Sequence, residues 1–361
     1  MNQKKIKIGI IFGGRSAEHE VSLQSAKNVY EALDKNKYHP VLIVINKAGK
    51  WLPCDNTIFL PPSSASEKKE LEEIVLPSQG NGNIVNLTNP ENNFSLDVAF
   101  PILHGPFGED GTVQGLLKLA NIPFVGAGVL GSAVGMDKDV MKRLLRESGI
   151  PIGKFIALKF DDVIPDFPEI VAKLGTPFFI KPANMGSSVG VSKVHNQTEY
   201  VAAVKTAFSF DVKIIIEEFI AGREIECGVL GNSHPLASVP GEIVPTHEFY
   251  SYDAKYLDEN GAKLEIPAKL PVETTKKIQD LAIKTFQALS CEGLGRVDFF
   301  LKDNGDILVN EINTIPGFTK ISMYPKLWAA SGISYPELID NLIQLAIERF
   351  QQEQKLLSNK L

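Results

Sequence analysis

The chain has 361 residues, of which 44% are hydrophobic and 22% are charged, and its formal net charge is -6. This length is enough for two or three domains, each with its own core. The acidic balance argues against nucleic acid or an anionic membrane surface as a partner, so we expect small-molecule ligands.

The cysteines and the amino terminus indicate the compartment. Cys54, Cys227 and Cys291 are scattered without a C-x-x-C spacing, which indicates neither a disulfide framework nor a zinc site. The apolar run at 8–12 is too short for a signal-peptide core or a membrane span. We therefore expect a cytoplasmic protein.

The predicted elements begin with alternating strands and helices. Residues 6–12 form a near-continuous apolar run, which is typical of a buried parallel strand. Apolar residues at helical spacing follow over 16–33, with Ser16 as the predicted N-cap, and a second strand follows at 39–46. This order predicts a doubly wound α/β fold, but without G-x-G-x-x-G a nicotinamide site has little support.

The middle of the chain changes character near residue 127. A polar excursion at 53–95 is expected to contain a small strand or helix, and a further parallel strand is predicted at 96–105. Beyond 127, a helix at 136–151 precedes short alternating strands joined by short turns. Consecutive short strands joined by short turns indicate antiparallel sheets and an α+β region.

The stretch GRVDFFLKDNGDILVNEIN at 295–313 predicts a β-hairpin. Its Asn304-Gly305 pair suits a two-residue type I′ turn. With that turn, Asp298 lies opposite Glu311, on the face that also carries the pair of Arg296 and Asn313. Like charges directly opposite each other are destabilising, so the pairing needs a cation between the acids.

The same face predicts a metal site. Arg296 is expected opposite Asn313, beside the two acids. Asp298, Glu311 and the Asn313 carbonyl are hard oxygen ligands of the kind that Mg²⁺ selects. The alternative is a plain salt bridge between Arg296 and the acids.

Two glycine-containing loops are candidates for binding a ligand through backbone groups. In KPANMGSSVG, at 181–190, small residues at a hairpin tip let N–H groups approach a phosphate; the alternative is a mobile turn. In NTIPGFTKIS, at 313–322, Gly317 follows the acids, where a backbone N–H suits an oxyanion hole. The alternative there is a turn that leaves the sheet.

Other stretches are ambiguous by themselves. The main chain of 217–220 offers groups for an adenine edge and Glu224 an acceptor for ribose, although most such glutamates are solvated. Glu18 suits a helix dipole without any ligand. The segment 248–263 is either a lid or an ordinary loop, and His104 lies where ligands of open α/β sheets collect.

Taken in order, eight stretches resemble the D-alanine–D-alanine ligases of the ATP-grasp superfamily. They are GGRSAEHEVSL, LHGPFGEDGTVQGLL, MDK, KPANMGSSVG, IEEFIAGREI, YDAKYL, GRVDFF and NEINTIPGFT. The resemblance implies an ATP-grasp fold of α/β plus α+β class. A Rossmann-like amino-terminal domain at 1–127 would precede two α+β domains, at 128–217 and 218–361, that clasp ATP.

The resemblance also implies a nucleotide site with two Mg²⁺ ions, for which Mn²⁺ can substitute. The implied ATP-binding residues are Lys138, Lys181, Gly186, Ser187, Ser188, Glu217, Phe219 and Glu224, and the implied metal ligands are Asp298, Glu311 and Asn313. The two lysines would contact the phosphates under the Gly-Ser turn. The Phe219 main chain and Glu217 would contact adenine, and Glu224 would contact ribose.

In the family reaction, the carboxylate of one D-alanine attacks the γ-phosphate of ATP, and the amine of a second D-alanine then attacks the acyl phosphate. The implied catalytic residues are Glu18, Ser187, Tyr256, Arg296 and Gly317, and the implied substrate-binding residues are His104, Lys255, Ser322 and Met323. Arg296 and the Gly317 N–H would stabilise the oxyanion. Glu18 would bind the first ammonium group and form a hydrogen-bonded trio with Ser187 and Tyr256.

The resemblance further implies a role in peptidoglycan precursor synthesis and a homodimer formed through the amino-terminal domain. One alternative is a sibling ligase whose second substrate is D-lactate or D-serine; Tyr256 favours the peptide-forming type over the ester-forming one. Lys320-Ile321 departs from the histidine of some members. A second alternative, a catalytically silent nucleotide-binding protein, is disfavoured because Arg296 and the metal ligands are all present.

Overall fold

The computed structural model describes residues 4–59, 72–245 and 262–358, and their strands form four β-sheets. The predictions that fall on Lys255 and Tyr256 lie outside these residues. Within the described ranges, no helix combines the length and the apolar character needed to cross a lipid bilayer.

The strands and helices are numbered in chain order. The strands are β1 (Ile6–Gly13), β2 (Tyr38–Ile45), β3 (Trp51–Cys54), β4 (Ile74–Val75), β5 (Asn83–Asn86), β6 (Phe94–Ser95), β7 (Val98–Ile102), β8 (Phe155–Lys159), β9 (Phe178–Pro182), β10 (Ser192–Val194), β11 (Lys213–Glu218), β12 (Arg223–Gly231), β13 (Leu236–Ala237), β14 (Gly241–Pro245), β15 (Ala262–Glu265), β16 (Gly293–Leu301) and β17 (Ile307–Asn313). The helices are α1 (His19–Ala32), α2 (Thr112–Leu119), α3 (Val129–Met136), α4 (Lys138–Glu147), α5 (Phe167–Leu174), α6 (Gln197–Phe208), α7 (Val272–Ala288), α8 (Met323–Ala330) and α9 (Tyr335–Ser358).

The first sheet has the order β3-β2-β1-β7, and β1 pairs in parallel with both β2 and β7, as predicted. Its central strand is buried on both faces, which explains the continuous apolar run. The predicted excursion contains a small sheet of β4, β5 and β6. The prediction for Ser16 is wrong: Glu18 occupies the N-cap position of α1, and the Ser16 hydroxyl donates to the His104 carbonyl at 2.6 Å.

The second and third sheets are antiparallel, as the short alternating strands predicted. The second has the order β10-β9-β11-β8, and α5 and α6 bury their apolar residues in its core cluster. The third has the order β15-β14-β12-β16-β17, with β13 attached to β12. Its core packs against α7 and α4.

The hairpin of β16 and β17 has the predicted pairing, with Asp298 opposite Glu311 and Arg296 opposite Asn313. The predicted type I′ turn is wrong, however. The Lys302 N–H donates to the Asp306 carbonyl at 2.9 Å, which leaves three residues, 303–305, in the loop.

Two irregularities of the hairpin cancel each other. Within the loop, Gly305 has φ +87°, the conformation that ends a common three-residue hairpin loop. The third loop residue shifts the register by one, so that Phe299 faces Val309. A β-bulge then inserts Asn310 before Glu311 and restores the pairing of the acids. The predicted register is therefore correct at Asp298 and Arg296 and wrong nearer the turn, where Phe299 pairs with Val309.

The largest core cluster joins the first sheet to the carboxyl-terminal helices. The Phe318 ring packs edge-on against Phe100 of β7, with ring centroids 6.0 Å apart, and also against Tyr324 of α8 at 5.9 Å. This packing holds the segment after the hairpin, which carries Gly317, against the end of β7. The domain boundaries at 127 and 217 stay predictions.

Candidate active site

Two adjoining cavities contain the predicted site. One has a volume of about 430 Å³ and the other about 330 Å³. Both are lined by Gly186, Ser187, Glu224, Phe300, Asn310 and Glu311. Every predicted site residue within the described ranges lines one cavity or both. The first cavity contains the acids of the hairpin, and the second contains three lysines.

A row of three carboxylates crosses the third sheet in the first cavity. Glu226 of β12 lies opposite Asp298 of β16, which lies opposite Glu311 of β17. Arg296 donates two hydrogen bonds of 2.7 Å to Asp298, and its Nε lies 2.8 Å from Glu226. Sequence reasoning missed Glu226, although its spacing of two from Glu224 along a strand was a usable signal.

The hairpin acids fit a Mg²⁺ site by their chemistry. The Asn313 amide donates to Asp298 at 2.9 Å, so two facing carboxylates and one amide are adjacent. The salt bridge weighed as the alternative forms between Arg296 and Asp298, whereas Glu311 pairs with Lys138 at 3.3 Å. The described residues contain no cluster of three acidic, His or Cys side chains able to cage a metal. The set suits an ion that completes its shell with water and phosphate oxygens.

The lysine cluster occupies the second cavity. Glu217 pairs with Lys142 at 2.7 Å and also with Lys181. Glu217 and Lys142 are buried, and Lys181 is partly buried. Burial alone would raise the pKa of Glu217, but the two ammonium groups outweigh it and lower the pKa to about 2. The Glu217 carboxylate is thus ionised and holds the lysines, so its main chain is the part suited to an adenine edge.

The Gly-Ser turn connects the two cavities. Ser187 and Ser188 have φ values of +51° and +60°, so the turn adopts the left-handed region. Lys138 donates to the Met185 carbonyl at 2.8 Å, which places its ammonium group under the turn. The Ser187 hydroxyl donates to the Glu18 carboxylate, as the resemblance implied for two members of the trio.

Glu109 is a site residue that sequence reasoning missed. It lines the first cavity and accepts a hydrogen bond from the Gly105 N–H at 2.8 Å. Burial and the nearby Glu18 carboxylate raise the pKa of Glu109 to about 8. The usable signal was its place in GPFGEDG, a turn directly after a parallel strand, where ligands of open sheets collect.

His104 is buried in the wall of the first cavity. Its Nδ1 lies 3.1 Å from the Ile315 carbonyl oxygen and its Nε2 lies 3.5 Å from the Ser25 hydroxyl. Burial lowers the pKa of this imidazole, so it is neutral at physiological pH. The ring therefore ties the end of β7 to the segment after the hairpin.

That segment is tightly packed. A Cβ added at Gly317 would lie 2.7 Å from the Ser322 hydroxyl, so a side chain there would displace that hydroxyl. Ser322 is the N-cap residue of α8 and its hydroxyl accepts from the Thr319 N–H at 3.0 Å. Met323, the first residue of α8, is buried.

The far end of the second cavity carries the predicted adenine and ribose contacts. Phe219 is 43% exposed, and the Lys193 ammonium lies 4.8 Å from the centre of its ring. Glu224 faces Phe300 of β16 and lines both cavities. An aromatic ring and a carboxylate at the cavity mouth provide an apolar and a polar surface for a nucleoside.

Comparisons with known proteins cover nearly the whole chain. The family model for the D-ala D-ala ligase N-terminus matches residues 7–127, and the model for the C-terminus matches residues 144–344. A D-alanine–D-alanine ligase of Oceanobacillus iheyensis is 55% identical over 99% of both chains. D-alanine–D-alanine ligase A of Escherichia coli is 50% identical over 98% of this chain and 99% of its own.

Solved structures agree with this relationship. The D-alanine–D-alanine ligase of Coxiella burnetii superposes with a TM-score of 0.89 at 41% identity, covering 99% of this chain and 98% of its own. The VanG D-Ala:D-Ser ligase of Enterococcus faecalis superposes with a TM-score of 0.86 at 38% identity, covering 95% and 100%. The expected ATP-grasp fold is confirmed. The chain belongs to the D-alanine–D-alanine ligase family.

Proposed function

We propose that this protein joins two D-alanine molecules into D-alanyl-D-alanine, converting ATP to ADP and phosphate, in the synthesis of the peptidoglycan precursor. The observation that carries the proposal is the junction of the two cavities at Glu311. There a cavity with three lysines, which suits phosphates, meets the cavity that contains the row of three carboxylates. The cavity with the carboxylates is also lined by Arg296 and Gly317, the proposed oxyanion hole.

The first step is a transfer of the γ-phosphoryl group to the carboxylate of the first D-alanine. Lys138 and Lys181 neutralise the phosphates, and the Gly186, Ser187 and Ser188 turn closes over them. This arrangement supplies the positioning and charge stabilisation on which phosphoryl transfer depends. The main chain of Glu217 and Phe219 contacts adenine, and Glu224 contacts ribose.

Asp298, Glu311 and Asn313 would hold two Mg²⁺ ions, with Mn²⁺ able to replace them. Bound there, Mg²⁺ would neutralise charge on the β- and γ-phosphates. Arg296 is bonded to Asp298 in the structure, which places its guanidinium group beside these ligands.

The second step is attack of the second amine on the acyl phosphate, with loss of phosphate. Arg296 and the Gly317 N–H stabilise the tetrahedral oxyanion, and Glu18 binds the first ammonium group. Lys255, Ser322 and the Met323 main chain hold the second carboxylate, with His104 near the reacting groups. Tyr256 completes the trio with Glu18 and Ser187.

The test is release of ADP and phosphate by the purified protein with Mg-ATP and D-alanine. Turnover that depends on D-alanine, with the dipeptide as product, is expected. Absence of D-alanine-dependent turnover contradicts the proposal.

D-serine is a second candidate for the acceptor, favoured by the likeness to a D-Ala:D-Ser ligase. Competition between D-alanine, D-serine and D-lactate, with the products separated by mass, decides between them. We expect D-alanyl-D-alanine to predominate. Its margin over the D-lactate ester should increase at alkaline pH, because an amine nucleophile must be deprotonated whereas a hydroxyl needs a general base throughout. D-serine also attacks through its amine, so the product masses separate it from D-alanine.

Asp298→Asn separates an enzyme from a silent nucleotide-binding protein. The substitution keeps the shape of the side chain but removes a charge from the metal ligands, so kcat should fall about 100-fold while the melting temperature changes little. Asp306→Asn, at an exposed position next to the loop of the same hairpin, is the control. Equal turnover in the two variants contradicts the metal site.

We also propose that the protein is cytoplasmic and forms a homodimer through its amino-terminal domain. Its three domains would span 1–127, 128–217 and 218–361. Family membership supports the dimer, and light scattering at several protein concentrations tests it: a constant mass of one chain contradicts it.

A further inference from the structure

Helix α4 and the loop after it hold three consecutive residues of β17. The contacts are Lys138 Nζ to the Glu311 carboxylate (3.3 Å), Lys142 Nζ to the Asn310 carbonyl oxygen (3.2 Å) and the Val309 N–H to the Pro151 carbonyl oxygen (2.8 Å). The two lysines lie four residues apart and so share one face of the helix. The middle contact is made by a residue to which the proposed mechanism gives no role.

The residue that Lys142 holds is the bulge. Asn310 is the inserted residue that puts Glu311 opposite Asp298. Without the insertion, a period of two would turn Glu311 to the other face of the sheet. The hydrogen bond from Lys142 to the Asn310 carbonyl therefore stabilises the β-bulge that places Glu311 beside Asp298.

Lys142 also contacts the other wall of the second cavity, at Glu217. Its Nζ lies 2.7 Å from Glu217 of β11, in the second sheet, while Asn310 belongs to the third sheet. The side chain is only 3% exposed. Such a buried ammonium group is stable only when it is paired and hydrogen-bonded.

We propose that Lys142 is a positioning residue that ties Glu217 to the Asn310 bulge and thereby fixes Glu311 where the metal and the terminal phosphates bind. This role rests on the proposed nucleotide and Mg²⁺ binding. Lys142 acts through Glu217 and Glu311, and the phosphates themselves are contacted by Lys138 and Lys181.

The test measures binding of ADP by calorimetry, once with EDTA and once with Mg²⁺. In the wild type, Mg²⁺ should tighten ADP binding. Lys142→Met keeps the length of the side chain without its charge. In this variant the ratio of the ADP dissociation constants with EDTA and with Mg²⁺ should fall about tenfold or more, the usual loss when a group that supports metal ligands is removed. Lys277→Met, which removes an exposed lysine of α7, should match the wild type.

Lys142→Arg retains a positive charge and should recover part of the lost tightening. If Lys142→Met loses the cooperative thermal transition, Lys142→Gln is measured instead, and the same tenfold loss is expected. An unchanged effect of Mg²⁺, or an equal loss of ADP affinity with and without Mg²⁺, overturns the role.

The outcome is separable from that of the proposed function. A wild type that binds no ADP, or makes no dipeptide, contradicts the function itself. A wild type that is active, alongside a Lys142→Met variant with an undiminished Mg²⁺ effect, contradicts only the role of Lys142.

Discussion

At the scale of single residues, the site is a set of charges whose neighbours decide their protonation. Glu217, between Lys142 and Lys181, has a pKa lowered to about 2, whereas Glu109, near Glu18, has a pKa raised to about 8. Both are glutamates in one site, and desolvation acts in the same direction on both. The sign of the nearest charge separates them.

The raised pKa of Glu109 predicts a pH dependence of stability. The folded chain keeps a proton on Glu109 up to about pH 8, whereas the ordinary value is 4.5. The folded state therefore binds more protons between these values, so this stabilising contribution is complete below pH 4.5 and is lost as the pH rises through 8. Glu109→Gln should remove that loss.

Urea unfolding at pH 6, 7.5 and 9 measures the effect. Between these conditions the wild type should lose stability more steeply than Glu109→Gln, by at most about 1.4 kcal/mol per pH unit. Glu147→Gln, at an exposed position near the end of α4, should follow the wild type. Parallel curves for wild type and Glu109→Gln contradict a raised pKa.

At the scale of elements, the hairpin of β16 and β17 shows how local irregularities set a site. Its three-residue loop and the bulge at Asn310 each move the register by one residue, in opposite senses. Together they keep Asp298 opposite Glu311. Either irregularity alone would turn Glu311, one of the three carboxylates of the row, away from the cavity.

The loop predicts a stability effect that is separate from activity. A Cβ at Gly305 would meet no atom within 4 Å, so its φ of +87° is the only obstacle to a side chain. Gly305→Ala should lower the free energy of unfolding by about 1–2 kcal/mol. Gly305→Asn should lose less, because asparagine tolerates this conformation better.

Thermal unfolding and dipeptide synthesis are measured on both Gly305 variants. Full specific activity at 25 °C is expected, since none of residues 303–305 lines either cavity. A melting temperature for Gly305→Ala equal to that of the wild type would show that the loop relaxes to another turn.

At the scale of the whole molecule, the site is assembled from segments far apart in the chain. Glu18 begins α1, beside the first sheet, and meets Ser187 of the turn between β9 and β10. Phe318 packs the segment after the hairpin against β7. The site therefore combines segments that lie next to the first, second and third sheets.

Ser187→Ala tests the contact between these segments. A hydrogen bond to a charged group is worth about 1.5–3 kcal/mol, so kcat/KM for D-alanine should fall about tenfold or more. The melting temperature should barely change, because the turn has little buried core. Ser209→Ala removes a hydroxyl that donates to the Thr206 carbonyl at 2.6 Å near the end of α6, and it should leave both values unchanged.

Steady-state kinetics with D-alanine as the varied substrate provide the measurement. Unchanged kcat/KM in Ser187→Ala would show that the contact with Glu18 is dispensable for turnover.

The sequence by itself determined most of the elements, because periodicity and turn residues act over a few neighbouring positions. It predicted the parallel first sheet, the antiparallel sheets and Asp298 opposite Glu311. Only the tertiary structure decided the bulge at Asn310, the position of Glu226 opposite Asp298 and the pairing of Lys142 with Glu217. These features depend on which distant segments pack together. The pKa of Glu109 belongs to the same class, because burial and a neighbouring charge are properties of the folded chain and not of its order of residues.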